Sequence, residues 1–125
     1  MKILNCTQHR ATAEQISAGV VDLDDATRSK LTELLTFNEV PGMSDLNDRS
    51  VAVARLIAPI YRATGADAAM IGGAPFFMTS LESALLGESM RPVYAFSRRE
   101  SVETVDADGA VKKTSVFRHA GFVEV

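Results

Sequence analysis

Three short stretches hold the residues whose types and spacing could do chemistry: Thr7-Gln8-His9-Arg10, Gly72-Gly73-Ala74-Pro75 and Ser97-Arg98-Arg99-Glu100. Paired glycines allow close backbone approach or a positive φ. Set between a strand and a helix, they would turn backbone N–H groups toward a phosphate or carboxylate. A neighbouring arginine could fork onto the same anion. His9 could act as a general acid or base. Each stretch also has a plainer reading. Gly-Gly-Ala-Pro matches neither G-x-x-x-x-G-K-[ST] nor G-x-G-x-x-G, so it reads equally as an ordinary turn. For the arginines a solvated pair is the slightly preferred reading, and for His9 polar surface is the preferred one.

The elements around these stretches must position them. Lys2 to Cys6 is a short β-prone run, and it exits into Thr7. Thr12 and Gln15 have capping-box spacing, and Gly19 is a natural residue to end the short helix that follows. Val20 to Leu23 reads as extended. Asp24 and Asp25 can open a second helix whose apolar face is Leu31, Leu34 and Leu35. Pro41-Gly42 stops it or lies in the loop beyond it, and Ser44 is the next N-cap candidate. From there to Thr64 the spacing of Leu46, Arg49, Val53, Ile57 and Ile60 is helical, with Pro59 expected to kink the helix or begin a last turn.

Ala66 to Ile71 is the central buried strand, and Pro75 to Leu86 a helix that ends at Gly87. Pro92 to Ser97 is the next strand, with Arg98-Arg99-Glu100 at its end. Val102 to Val105 and Val111 to Val116 then form a hairpin around Asp106-Ala107-Asp108-Gly109. The order predicts an α/β fold: a Rossmann-like three-layer sandwich with a mainly parallel sheet and a C-terminal antiparallel hairpin. The chain reads as one domain over residues 1–125, with 101–125 as a hairpin extension. Ligands of such sheets collect at the carboxyl ends of the strands, where the three chemical stretches would meet. Ala74 belongs to the central turn, and the Thr79 hydroxyl could add a contact from the helix.

Composition narrows the partners. The chain has 125 residues, 46% of them hydrophobic, and a formal net charge of -3. That balance disfavours a general grip on duplex nucleic acid but leaves room for a locally basic pocket. The single cysteine, Cys6, excludes an intrachain disulfide and reads as a core residue. No stretch is long enough to span a membrane and no signal segment opens the chain, so a cytoplasmic protein is expected. Two distant histidines and one cysteine give no zinc spacing, so neither a metal nor another cofactor is expected. Asp22, Asp24 and Asp25 cluster, but helix capping accounts for them. His119, among aromatics near the chain end, reads as packing or interface.

The layout of Leu4-Asn5-Cys6-Thr7-Gln8-His9, Ile71-Gly72-Gly73-Ala74-Pro75 and Val93-Tyr94-Ala95-Phe96-Ser97-Arg98-Arg99-Glu100-Ser101 resembles small proteins related to the CRISPR-associated Rossmann-fold domain. The likeness extends to about Glu103 and lies in order and loop chemistry. It implies a role in antiviral defence and a homodimer that holds a nucleotide or cyclic oligonucleotide across its two-fold axis. It also implies metal-independent cleavage in some members, by attack of the ligand's own 2′-hydroxyl. On that reading Arg98 or Arg99 stabilises the phosphate, and His9 or Ser97 assists proton movement. Thr7, Gln8, Gly72, Gly73, Ala74 and Thr79 would contact the ligand. The competing reading is a non-enzymatic interaction module that works through the C-terminal hairpin, with Phe117, Phe122 and Val125 as its patch.

Overall fold

The chain begins with β1 (Ile3–Asn5), every residue of which is buried. A computed structural model describes residues 1–125. After β1 come α1 (Ala13–Ser17), β2 (Val20–Asp22), α2 (Asp25–Leu35), α3 (Met43–Thr64) and β3 (Ala68–Met70). Then α4 (Pro75–Gly87), β4 (Pro92–Val105) and β5 (Val111–Glu124) complete the chain. The sheet order is β2-β1-β3-β4-β5, parallel except for the antiparallel last pair. The expected α/β fold with a C-terminal antiparallel pair is thus observed.

β3 and β1 up to its last residue, Asn5, are apolar because helices or loops cover both faces of the sheet centre. On one face Leu4, Ala69 and Ile71 pack with α2, α3 and α4 through Leu31, Val53, Ile57, Phe77, Leu81 and Leu85. On the other, Ile3, Val20, Ala68, Met70 and Val93 form a smaller cluster that Ala11 and Phe122 close. The chain leaves β1 toward β2 with α1 as its crossover. It returns past β1 through α2 and α3 to β3, then continues outward through α4 to β4. The connections from β1 and β3 therefore part in opposite directions.

The caps follow the sequence. Thr12 and Gln15 make a complete capping box, and Asp24 caps α2 by accepting from the Thr27 backbone N–H. Two boundaries differ from expectation. α3 starts at Met43 with Gly42 as N-cap, so Ser44 lies inside the helix. It also runs unbroken through Pro59, whose exposed position leaves the freed carbonyl of the preceding turn to solvent.

The largest correction concerns β4. The expected strand ending at Ser97, the arginine loop and the first hairpin strand are one continuous strand, Pro92–Val105. Its ladder with β5 runs from Val93↔Glu124 to Val105↔Val111. Only Pro92 and Val93 of β4 are buried. Tyr94 and Phe122 still pack on the core, and Glu14 of α1 meets His119 and Arg118; farther out the pair is a ribbon exposed to solvent, so charged residues sit in it at little desolvation cost and the backbone ladder continues past them. The ribbon bends where Phe96↔Gly121 gives way to Ser97↔His119, which leaves Ala120 as the extra residue of a bulge. Asp106 closes the far turn by accepting from the N–H groups of Asp108 and Ala110.

Candidate functional site

A cleft of about 450 Å³ opens at the carboxyl ends of β1 and β3. It lies where their connections part, the crevice in which open parallel sheets bind ligands. Thr7, Gln8, His9 and Arg10 supply one wall, and Met70, Ile71, Gly72 and Gly73 supply the opposite one. Thr12 and Gln15 reach it from α1, and Tyr94 and Ala95 from β4.

Asn5 shapes the first wall. It ends β1 and is only 2% exposed, one of two buried polar residues in the chain. Its Nδ2 donates to the His9 carbonyl at 2.7 Å and to Asp22 Oδ1 at 2.8 Å. Its Oδ1 accepts from the Thr7 backbone N–H at 3.0 Å and from the Thr7 hydroxyl at 2.7 Å. Asp22 Oδ1 also accepts from the Ala11 N–H at 3.0 Å. One buried amide and one carboxylate thus hold the whole turn from Thr7 to Ala11. Satisfying every polar atom of such a group is what makes its burial tolerable.

The other wall is backbone. The Cys6 N–H donates to the Met70 carbonyl at 2.8 Å, which ties the first loop to β3 one residue past the strand. Gly73 has φ +145, a conformation that side chains rarely adopt. A Cβ at Gly72 would meet nothing closer than Thr7 Cγ2 at 3.8 Å, so both glycines leave the floor open. Cys6 itself points into the core, and burial pushes its thiol far above the usual range, which keeps it protonated and inert.

The polar groups of the cleft are mostly donors or groups that can donate. Arg10 is its only permanently charged lining residue, and no carboxylate lines it. Arg10 pairs with Asp25 at 3.0 Å, and Asp25 also takes Arg28, so this cluster of two guanidiniums and one carboxylate keeps net positive charge. The Tyr94 hydroxyl donates to Glu82 on α4. Burial, and then that carboxylate, raises the Tyr94 phenol above its ordinary value, so it stays protonated.

Several expected site residues lie elsewhere. Ser97, Arg98 and Arg99 are on the ribbon and do not line the cleft. Arg99 lies over the Phe117 ring, 5.8 Å from its centroid. Ala74 is the N-cap of α4 and packs against the core, and Thr79 is exposed on α4. His9, Thr7, Gln8, Gly72 and Gly73 do come together. The β4 contribution is Tyr94 and Ala95, earlier in the strand than expected, because β4 passes the cleft without ending there. His119 packs on Phe122 with ring centroids 4.8 Å apart. The sequence places Arg10 in the first stretch without a role of its own, and it does not mark Asn5 as a site residue. A polar residue closing an apolar strand was the available signal for Asn5.

The profile of the uncharacterized protein MJ1673 family matches residues 1–123. The chain belongs to that family. The match spans the sheet, the cleft and nearly all of the ribbon, so the ribbon is part of the family's domain. No curated protein and no solved structure matches this MJ1673-family chain. No group of three or more His, Cys, Asp or Glu residues is placed to hold a metal ion. No helix is long and apolar enough to cross a membrane.

Proposed function

We propose that the cleft binds a small phosphate-bearing ligand of nucleotide type. One observation carries this reading: the crevice between the diverging connections of β1 and β3 is walled by Thr7, Gln8, His9, Arg10 and two glycines, with no carboxylate. Such a wall favours an anion, because each donor gains a charge-assisted bond and no lining group repels it. Met70, Ile71 and Ala95 add an apolar side against which a base can rest. The volume, about 450 Å³, lies in the range of small-ligand sites. Within one chain, Arg10 lines the cleft where Arg98 or Arg99 was expected, and of the expected pair His9 and Ser97 only His9 lines it. The proposal is therefore of binding, with Arg10 as the charge partner and His9 as a further polar contact from the same wall.

A thermal-shift titration with inorganic phosphate, adenosine monophosphate and linear and cyclic oligoadenylates tests this. A ligand at a hundredfold excess over its Kd stabilises by about 2.7 kcal/mol, which is easily seen. Arg10→Ala and Gln8→Ala should abolish the shift, and Arg98→Ala should leave it in place. Absence of a shift with every nucleotide would overturn the reading.

A second reading rests on the ribbon. Val105, Val111 and Phe117 are each at least 60% exposed on it, more apolar surface than an isolated hairpin needs. That supports an interaction role alongside the cleft.

A further inference from the structure

We propose that two copies of this chain join through the free edge of β4, in an antiparallel ladder centred on Ser101. The inference is independent of what the cleft binds.

β4 has two edges. One pairs with β5 along the whole strand, while the other pairs with β3 only as far as Met70↔Val93. In an antiparallel pair, alternate residues turn their N–H and C=O toward the partner and the others turn away. The Val93 carbonyl accepts from Ile71 on the β3 side, and Asp106 donates to Ala110 on the β5 side. The odd-numbered residues from Ala95 to Val105 therefore present their backbone groups to the open edge. A long, regular, unpaired edge is a template for another strand. No bulge, proline or covering loop from this chain blunts it along the stretch from Ser97 to Val105.

The side chains specify which strand fits. A two-fold axis through Ser101, perpendicular to the ribbon, sets Ser101 against the partner's Ser101. Arg99 then lies directly opposite the partner's Glu103, and the symmetry makes that pair twice. Arg98 meets the partner's Thr104, Glu100 the partner's Val102, and Ser97 the partner's Val105. No like charges face each other. Centring on Arg99, Glu100 or Glu103 would oppose that residue to its own copy, and centring on Val102 moves the only opposite-charge pair out to Arg98 and the partner's Asp106. With the axis through a residue, odd-numbered residues face odd-numbered ones and even face even, so the outward-turned backbone groups of the odd residues meet. The strand is self-complementary, as a closed two-fold interface requires. The result is a four-stranded sheet in the order β5-β4-β4-β5.

Sedimentation equilibrium of the full chain tests this with charge reversals. The wild type should be dimeric. Arg99→Glu alone, or Glu103→Arg alone, should raise the dimer Kd by about tenfold or more, because two attractive directly opposed pairs become repulsive. The double variant R99E/E103R should return Kd to near the wild-type value. Restoration separates the seam from local effects, since Glu103→Arg also disturbs the contact with Lys113 in both variants. Ser101→Pro removes a backbone donor that only the partner uses, so it should give a monomer with an intact β4–β5 ladder by circular dichroism. A monomeric wild type at hundreds of micromolar, a dimer indifferent to the single reversals, or a double variant that stays dissociated would each overturn the proposal.

Discussion

Asn5→Leu is the sharpest probe of how the cleft is built. The substitution keeps the branched outline of the side chain, at a somewhat larger volume, and removes every polar atom that Asn5 offers. Three of its four bonds join neutral groups, and the fourth goes to the Asp22 carboxylate. A neutral bond contributes about 1 kcal/mol net, and one to a charged group about 1.5–3. Part is recovered, because the Thr7 hydroxyl keeps the His9 carbonyl at 3.2 Å and Asp22 keeps the Ala11 N–H. The loop is also open enough for water to reach the released groups. A loss of about 3 kcal/mol remains, roughly 10–15 °C in Tm for a domain of this size. Urea unfolding monitored by circular dichroism measures it. Asn5→Asp sharpens the test through its sign. A carboxylate there would face both Asp22 and the His9 carbonyl, so its folded-state pKa must rise. The added penalty is absent below the unfolded value, about pH 4, and grows as pH rises toward the folded one. Asn5→Asp should thus be distinctly less stable at pH 7 than at pH 4, relative to wild type. A loss under about 1 kcal/mol for Asn5→Leu would refute the claim that this amide organises the turn, since a single net bond is worth that much. So would an Asn5→Asp variant whose stability tracks the wild type across that pH range.

The remaining expectations concern single features. Gly73→Ala should cost about 1–2 kcal/mol, because alanine is strained at φ +145, while Gly72→Ala should fold within about 0.5 kcal/mol of wild type; paired urea melts compare them. Cys6 should resist a thiol reagent in the folded protein and label only as the chain unfolds; rapid native-state labelling at pH 8 would show the loop opening. The Asp24 cap holds its carboxyl below the usual range through the Thr27 backbone bond first and the Thr27 hydroxyl second. That contribution is present above the unfolded carboxylate pKa and lost as pH falls through the folded one. Asp24→Ala should therefore lower Tm at pH 7 and lose less on acidification than wild type.

The sequence and the structure agree where local chemistry decides. Thr12 with Gln15, Asp24 before Thr27, and Gly65 after Thr64 are caps whose partners lie within a turn, so spacing alone reveals them. The apolar runs at Ile3 and Ala68 likewise announce buried strands. The expected meeting of the first loop with the Gly72-Gly73 turn follows from strand order in a parallel sheet. What stayed hidden depends on distant pairing. Nothing within β4 itself says that Arg98 and Arg99 lie in mid-strand, because the ladder that carries the strand past them is supplied by β5. The charged residues read as a strand end since buried strands end at charges, and this one is not buried. Asn5 was unread for a similar reason. Its partner Asp22 is in another strand, beside it only because β1 pairs with β2 in register.

The bulge at Ala120 has a mechanical consequence. From Ser97 to Val105 the ribbon runs eight residue steps, about 27 Å at the rise of an extended strand. Within one chain it is held only near its root, where Glu14 of α1 accepts from the His119 N–H at 3.1 Å and pairs with Arg118 at 3.5 Å, so an isolated chain has a lever whose pivot lies just past Ala95, on the rim of the cleft. A rotation of 10° at the pivot carries the tip through about 5 Å over that arm. Probes placed near Asp106 in the monomeric Ser101→Pro variant, where no partner strand holds the ribbon, would therefore report, amplified, on events at the cleft rim that leave the sheet itself still.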